Sequence, residues 1–246
     1  LSPPANRPGH SYQQPPSSIF GPVKAFSLHS ANNTRNPVTH QDRIAHPGRE
    51  IGNLSTAELH HLAPLLRHCS IAVVGASDRE YSVGWQTLRN LLTGGYNGTL
   101  YAVNPGYETV QGISCFPDLA SLPETVEHVV LTLGDARIEA ALDATIAHGA
   151  KAATMMSTLV LENDSEPPLR HRVAKKIEDS GLIVCGANGM GFYNCADGVW
   201  VCGFDTREKH RRGGNVTLIS HSGAGMSGIV DCEERIDFNL AVSTGQ

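Results

Sequence analysis

Ser70-Ile71-Ala72-Val73-Val74-Gly75 is a continuous apolar run closed by a glycine. A run without polar alternation suits a strand buried on both faces of a parallel sheet. Ahead of it, Leu59, Leu62, Leu65 and Leu66 recur at helical spacing, and Ser55 with Glu58 makes a capping-box pattern. A short helix should therefore lead into the strand. Behind it the alternation repeats. Residues 83–92 read as a helix closed by Gly94-Gly95, and 99–103 as a strand ending at Asn104-Pro105-Gly106. Strands at 127–133, 150–156 and 181–185 alternate with helices at 135–148 and 168–179. Strands and helices of these lengths in alternation imply βαβ units. The expected fold class is α/β, a Rossmann-like doubly wound parallel sheet over residues 54–187.

Residues 188–214 read as a connector. They contain a hairpin strand at 198–203 and the charged stretch Lys209-His210-Arg211-Arg212-Gly213-Gly214. A second round then starts with a strand at 215–220, the turn Ser222-Gly223-Ala224-Gly225, a helix to about Glu234 and a strand at 238–243. One βαβ unit is too small for a doubly wound domain. Residues 215–246 are thus expected to begin an incomplete flavodoxin-like α/β domain, continued on this chain or another.

The loop after the first strand is Gly75-Ala76-Ser77-Asp78-Arg79-Glu80-Tyr81-Ser82-Val83-Gly84. A glycine at the strand end and another at the helix start bring a phosphate against helix N–H groups. The spacing is longer than GxGxxG. A dinucleotide domain also calls for an acid at the end of the second strand, to hold ribose hydroxyls. Asn104-Pro105 stands there instead. By itself the loop indicates a phosphate-bearing ligand, or a glycine turn with a purely structural role.

Several ordered motifs give the sequence a family likeness. Ile71-Ala72-Val73-Val74-Gly75-Ala76-Ser77, Asn90-Leu91-Leu92, Gly94-Gly95-Tyr96-Asn97-Gly98 and Tyr101-Ala102-Val103-Asn104-Pro105 resemble the CoA-binding domain of ADP-forming acetyl-CoA synthetases. Gly186-Ala187-Asn188-Gly189-Met190-Gly191 is similar to the G-P-N-x-x-G of that family. Ile219-Ser220-His221-Ser222-Gly223-Ala224 is similar to its S-x-S-G turn, and the α subunit of succinyl-CoA synthetase shares the layout. The resemblance covers residues 60–246.

It implies an NDP-forming ligase that makes acyl-CoA, ADP and phosphate from a carboxylic acid, CoA and ATP. The route runs through an acyl phosphate and a phosphohistidine. A carboxylate is a poor electrophile until phosphorylated, and a histidine can ferry the phosphoryl group between sites. The resemblance assigns CoA to Gly75, Ala76, Ser77, Val83, Gly84, Asn104 and Pro105. Phosphate handling falls to Ser220, Ser222, Gly223 and Ala224, whose turn could hold an oxyanion or could need small residues for packing alone. His221 is not assigned as the phosphohistidine, which in the family lies further on. ATP, ADP and Mg would enter only through further C-terminal domains or a separate ATP-grasp subunit, so this stretch is expected to be a fragment, inactive alone. Four departures stand out: Met155-Met156-Ser157-Thr158 in place of a Gly-containing loop, Ala187 for proline, Gly106 where lysine often follows Asn-Pro, and Gly228 near the place of a glutamate. The alternatives are a non-catalytic CoA-binding or CoA-sensing module and an NAD(P)-dependent oxidoreductase.

Composition excludes other classes. The net charge of −5 argues against a protein held to nucleic acid by phosphate neutralisation. Six cysteines without a CxxC pair read as reduced thiols in a cytoplasmic protein, and twelve histidines form no spaced ligand set, so no metal site is expected. No apolar run reaches the ~18 residues of a membrane span. Residues 1–53 are rich in Pro, Ser, Asn and Gln and hold no acid before Asp42. That composition reads as a disordered tail rather than an organelle-targeting peptide.

Overall fold

The computed structural model of the chain describes residues 60–205, 214–232 and 235–245. The tail, the Ser55–Glu58 capping box and the Lys209–Gly213 part of the connector lie outside the described residues. The strands of the first sheet are β1 (Ser70–Val74), β2 (Thr99–Val103), β3 (Thr109–Val110), β4 (Ile113–Phe116), β5 (His128–Leu131), β6 (Ala152–Met155) and β7 (Ile183–Cys185). Their order is β3-β4-β2-β1-β5-β6-β7, with β1 at the point where the winding reverses. β1 pairs in parallel on both sides, Val73 standing opposite Ala102 and Val130.

The apolar run behaves as its composition requires. Ile71, Ala72 and Val73 are fully buried, and alternate residues enter different cores. Ile71 and Val73 pack with Leu88 and Leu91 of helix α2 (Val83–Gly94). Ala72 packs with Ile138 and Leu142 of α3 (Asp135–His148) and Val173 of α4 (Leu169–Ser180). Helices on both faces make the sheet doubly wound, as expected from the sequence. The leading helix α1 is only Ala63–Leu66, with Pro64 in its first turn. The outer edge of this sheet escapes the sequence pattern. It carries the β3–β4 hairpin, whose turn residues Gln111 and Gly112 both have positive φ, and β3 runs antiparallel. The sheet is therefore mixed rather than wholly parallel.

The second sheet contains β8 (Gly191–Asn194), β9 (Val199–Cys202), β10 (Val216–Ser220) and β11 (Phe238–Ser243), in the order β10-β11-β8-β9. β10 and β11 are parallel, joined through helix α5 (Gly223–Cys232), and β11 pairs antiparallel with β8. The βαβ unit is thus extended by the connector hairpin into a four-stranded sheet. Phe192, Val199 and Val201 turn toward the α2 core, while Tyr193, Trp200 and Cys202 pack with Met226 and Val230 of α5. No helix among the described residues is long and apolar enough to cross a membrane.

At the N-terminal end of the first sheet, His68 and His128 face each other with their Nδ1 atoms 3.3 Å apart. His128 Nε2 lies 2.9 Å from Thr154 Oγ1. Burial pushes His68 down to about 4, opposed in part by Glu127. Burial, and then the neighbouring His68, holds His128 well below the usual imidazole range. Between pH 6.5 and about 4 the unfolded chain takes up a proton at residue 68 that the folded chain refuses. Stability should therefore fall as pH drops through that window, by about 3 kcal/mol from His68 alone. Urea denaturation across this range should show the decline, and His68→Leu should flatten it. An unchanged slope in that variant would assign the decline to other groups.

Candidate functional site

The loop from β1 to α2 is built on a backbone contact. Gly75 has φ +91, and a Cβ added to it would lie 2.8 Å from Leu133 Cδ2 and from Thr132 Oγ1. A Cβ on Gly84 would lie 2.1 Å from the carbonyl oxygen of Gly75. The first turn of α2 thus rests directly on the strand end. Ser82 caps the helix, its Oγ accepting from the Trp85 N–H at 3.2 Å. The β2 turn is tied to this loop. Asn104 Nδ2 donates to the Ala76 carbonyl at 2.7 Å, its Oδ1 accepts from the Gly106 N–H at 3.0 Å, and Ser77 Oγ lies 3.3 Å from the Tyr107 hydroxyl.

Beside these loops, at the C-terminal ends of the central strands, is a cavity of about 230 Å³. Gly75, Asn104 and Pro105 line it, together with Asp118, Leu133, Arg137, Ala141 and Ala144 among others. Of the remaining sequence-predicted residues, Ala76 and Gly84 are buried in packing, Ser77 is half-buried in the loop, and Val83 is 40% exposed at the start of α2. Sequence reasoning missed the α3 wall. Arg137, Ala141 and Ala144 follow at i, i+4 and i+7, one face of a helix. That spacing was the available signal. Asp118 Oδ1 accepts from the N–H and the hydroxyl of Ser121, and these bonds hold its carboxyl below the usual carboxylate range.

A second cavity of about 350 Å³ lies at the C-terminal ends of β10 and β11. Ser222, Gly223 and Ala224 line it with Asn188, Met190, Phe204, His221 and Gly245. Ser220 does not line it; its Oγ donates to the Ser222 carbonyl at 2.8 Å within the turn. Ser222 Oγ accepts from the Gly225 N–H at 3.1 Å, which caps α5. The amides of Gly223 and Ala224 open the helix, where an anion is favoured.

A family model described as a CoA binding domain matches residues 69–194, the first sheet and the strand beyond it. The chain belongs to the CoA-binding domain family. The domain's resemblance to ADP-forming synthetases is borne out by its relatives. An acetate–CoA ligase (ADP-forming) of Archaeoglobus fulgidus is 26% identical over 178 residues, 71% of this chain and 25% of the relative. The α subunit of an ADP-forming acetate–CoA ligase of Pyrococcus furiosus is 26% identical over 71% of this chain and 38% of its own length. The solved structure of a dinucleotide-forming acetyl-coenzyme A synthetase from Ca. Korarchaeum cryptofilum, in complex with phosphate and ADP, superposes with a TM-score of 0.66. It is 27% identical and covers 75% of this chain and 39% of that one. The CoA-binding domain chain spans about a quarter of the length of the first curated relatives it matches.

The Gly75–Gly84 contact is testable. Gly84→Ala should lower stability by about 1–3 kcal/mol, the cost of overpacking against an immobile carbonyl. Gly106→Ala should stay within about 0.5 kcal/mol, since its added Cβ would meet only Asn104 Oδ1 at 3.4 Å. Equal effects in denaturant titrations would show that the contact relaxes without strain.

Proposed function

We propose that this chain binds CoA at the mouth of the first cavity and serves as the CoA-binding part of an ADP-forming acyl-CoA ligase. The observation carrying the reading is the cavity at the winding reversal beside β1, where open α/β sheets take ligands. Its volume lies below the ~300–1,000 Å³ of sites that engulf a whole ligand. It suits one end of CoA, with the rest running over the loops. Phosphates would then face the Gly75-Ala76-Ser77 loop and the N–H groups of Val83 and Gly84, as the family resemblance implies.

The second cavity would take the activated acid. Its α5 amides suit a carboxylate or an acyl phosphate, and Met190 and Phe204 supply an apolar wall. The CoA thiol would attack the acyl carbon, forming the thioester and releasing phosphate, whose charge the helix start would stabilise. ATP and magnesium would be handled by further domains or a separate subunit, as the family resemblance implies. The Pyrococcus α subunit supports a separate partner subunit as one way of supplying them.

One observation favours a second reading. Asp118 gives the first cavity a carboxylate, which in a dinucleotide enzyme holds ribose hydroxyls. Isothermal titration with CoA and with NAD separates the two. Saturable CoA binding that weakens about tenfold or more in Ala144→Trp, with the melting temperature unchanged, is the expected result. Tighter binding of NAD, or no CoA binding by the folded chain, would overturn the proposal.

A further inference from the structure

Resting on the CoA reading, the geometry points to Arg137 as the residue that selects CoA by its 3′-phosphate. Among the described residues lining the first cavity, Arg137 alone is basic. It sits in the first turn of α3 on the same face as Ala141 and Ala144, whose small side chains leave an apolar slot between helix and strand ends. A flat ring fits such a slot, and a charge attached to that ring would meet the guanidinium one turn away.

The arginine is available for this. Its acidic neighbours on the helix are engaged elsewhere. Asp135 accepts from Thr158 Oγ1 at 2.6 Å and from the Leu159 N–H at 2.8 Å. Glu139 pairs with Arg172 at 2.9 Å and Lys176 at 3.4 Å. Arg137 itself forms no ion pair among the described residues and is exposed. On the opposite wall glycine rather than lysine follows Asn104-Pro105, and no second cation lines the cavity among the described residues.

The other charged lining group narrows the ligand further. Asp118 is held ionised through Oδ1 by Ser121, which leaves Oδ2 to accept from a donor. Inorganic phosphate or sulfate could meet Arg137 but leaves the apolar slot unfilled and brings Asp118 no amine or sugar hydroxyl. A ligand with a ring, an amine or hydroxyl donor, and a phosphate monoester satisfies all three features. The 3′-phosphoadenosine end of CoA has this set. Dephospho-CoA and NAD lack the monoester. A guanidinium matches a phosphate bidentately, and such charge-assisted bonds are the stronger class.

The test is titration of the full chain with CoA and with dephospho-CoA, for the unaltered protein, Arg137→Ala and Arg137→Lys. The unaltered chain should prefer CoA by about 10- to 100-fold. Arg137→Ala should lose that preference by weakening CoA alone, and Arg137→Lys should recover part of it. If the unaltered chain binds both ligands equally, or Arg137→Ala weakens both alike, the CoA site stands and this assignment falls. If it binds neither, the CoA reading falls and this inference with it. The substitution is on an exposed side chain, and an unchanged melting temperature verifies that the variants are folded.

Discussion

The arrangement depends on one backbone contact, the seating of the first turn of α2 on the carbonyl of Gly75. No side chain fits between them, since even a methyl at Gly84 would overlap the oxygen. This contact fixes how closely α2 lies against β1, and α2 in turn positions the second sheet. Asn90, buried on α2, donates through Nδ2 to the carbonyls of Cys202 and Phe204, and Gln86 reaches Asn90 Oδ1 at 3.1 Å. A buried amide that loses such partners carries the full desolvation cost. The β9 end therefore follows α2, and α2 follows the glycines.

Both cavities sit where parallel strands end and helices begin. Each strand delivers its chain to the same edge, and each helix turns its unpaired N–H groups toward that edge. In the first sheet the reversal at β1 separates the β2 turn from α3 and leaves the cavity between them. In the second, β10 and β11 end beside the start of α5, and the carbonyl of Ser220 accepts from the Thr244 N–H at 2.9 Å. Two cavities thus arise from one topological rule applied twice.

The first sheet was legible because β1, β2 and β5 to β7 are short apolar runs separated by helical periodicity. β8 was not, since Gly191-Phe192-Tyr193-Asn194 lies among Gly and Asn residues that signal turns. Its strand character comes from pairing with β9 and β11, which no local pattern carries. The two-residue β3 is too short to show a period at all. At the site, the glycine loop and the Asn-Pro turn were legible because unusual backbone demands unusual residues. Asp118, Arg137 and Ala144 were not, because they are ordinary residues whose significance lies in which side of an element faces the cavity.

The departure Met155-Met156-Ser157-Thr158 has a structural account that links the two regions. Met155 is buried in β6, while Met156 Sδ accepts from Thr87 Oγ1 of α2 at 3.9 Å. A Cβ on Gly203 would lie 3.0 Å from the same sulfur, so the thioether fills the space between α2 and the chain beyond β9. The Ser157 carbonyl accepts from the Asn188 N–H at 2.8 Å and so holds the chain entering the second cavity. Thr158 and Leu159 then bind the carboxylate of Asp135, the first residue of α3. An acid fixed at a helix start is favoured by the helix dipole. It anchors the turn that carries Leu133 and Arg137 into the first cavity. A flexible glycine loop at this place would supply neither the thioether filling nor the threonine hydroxyl. The substituted stretch is thus a brace between the two cavities, and its bulk stands where backbone freedom would otherwise be.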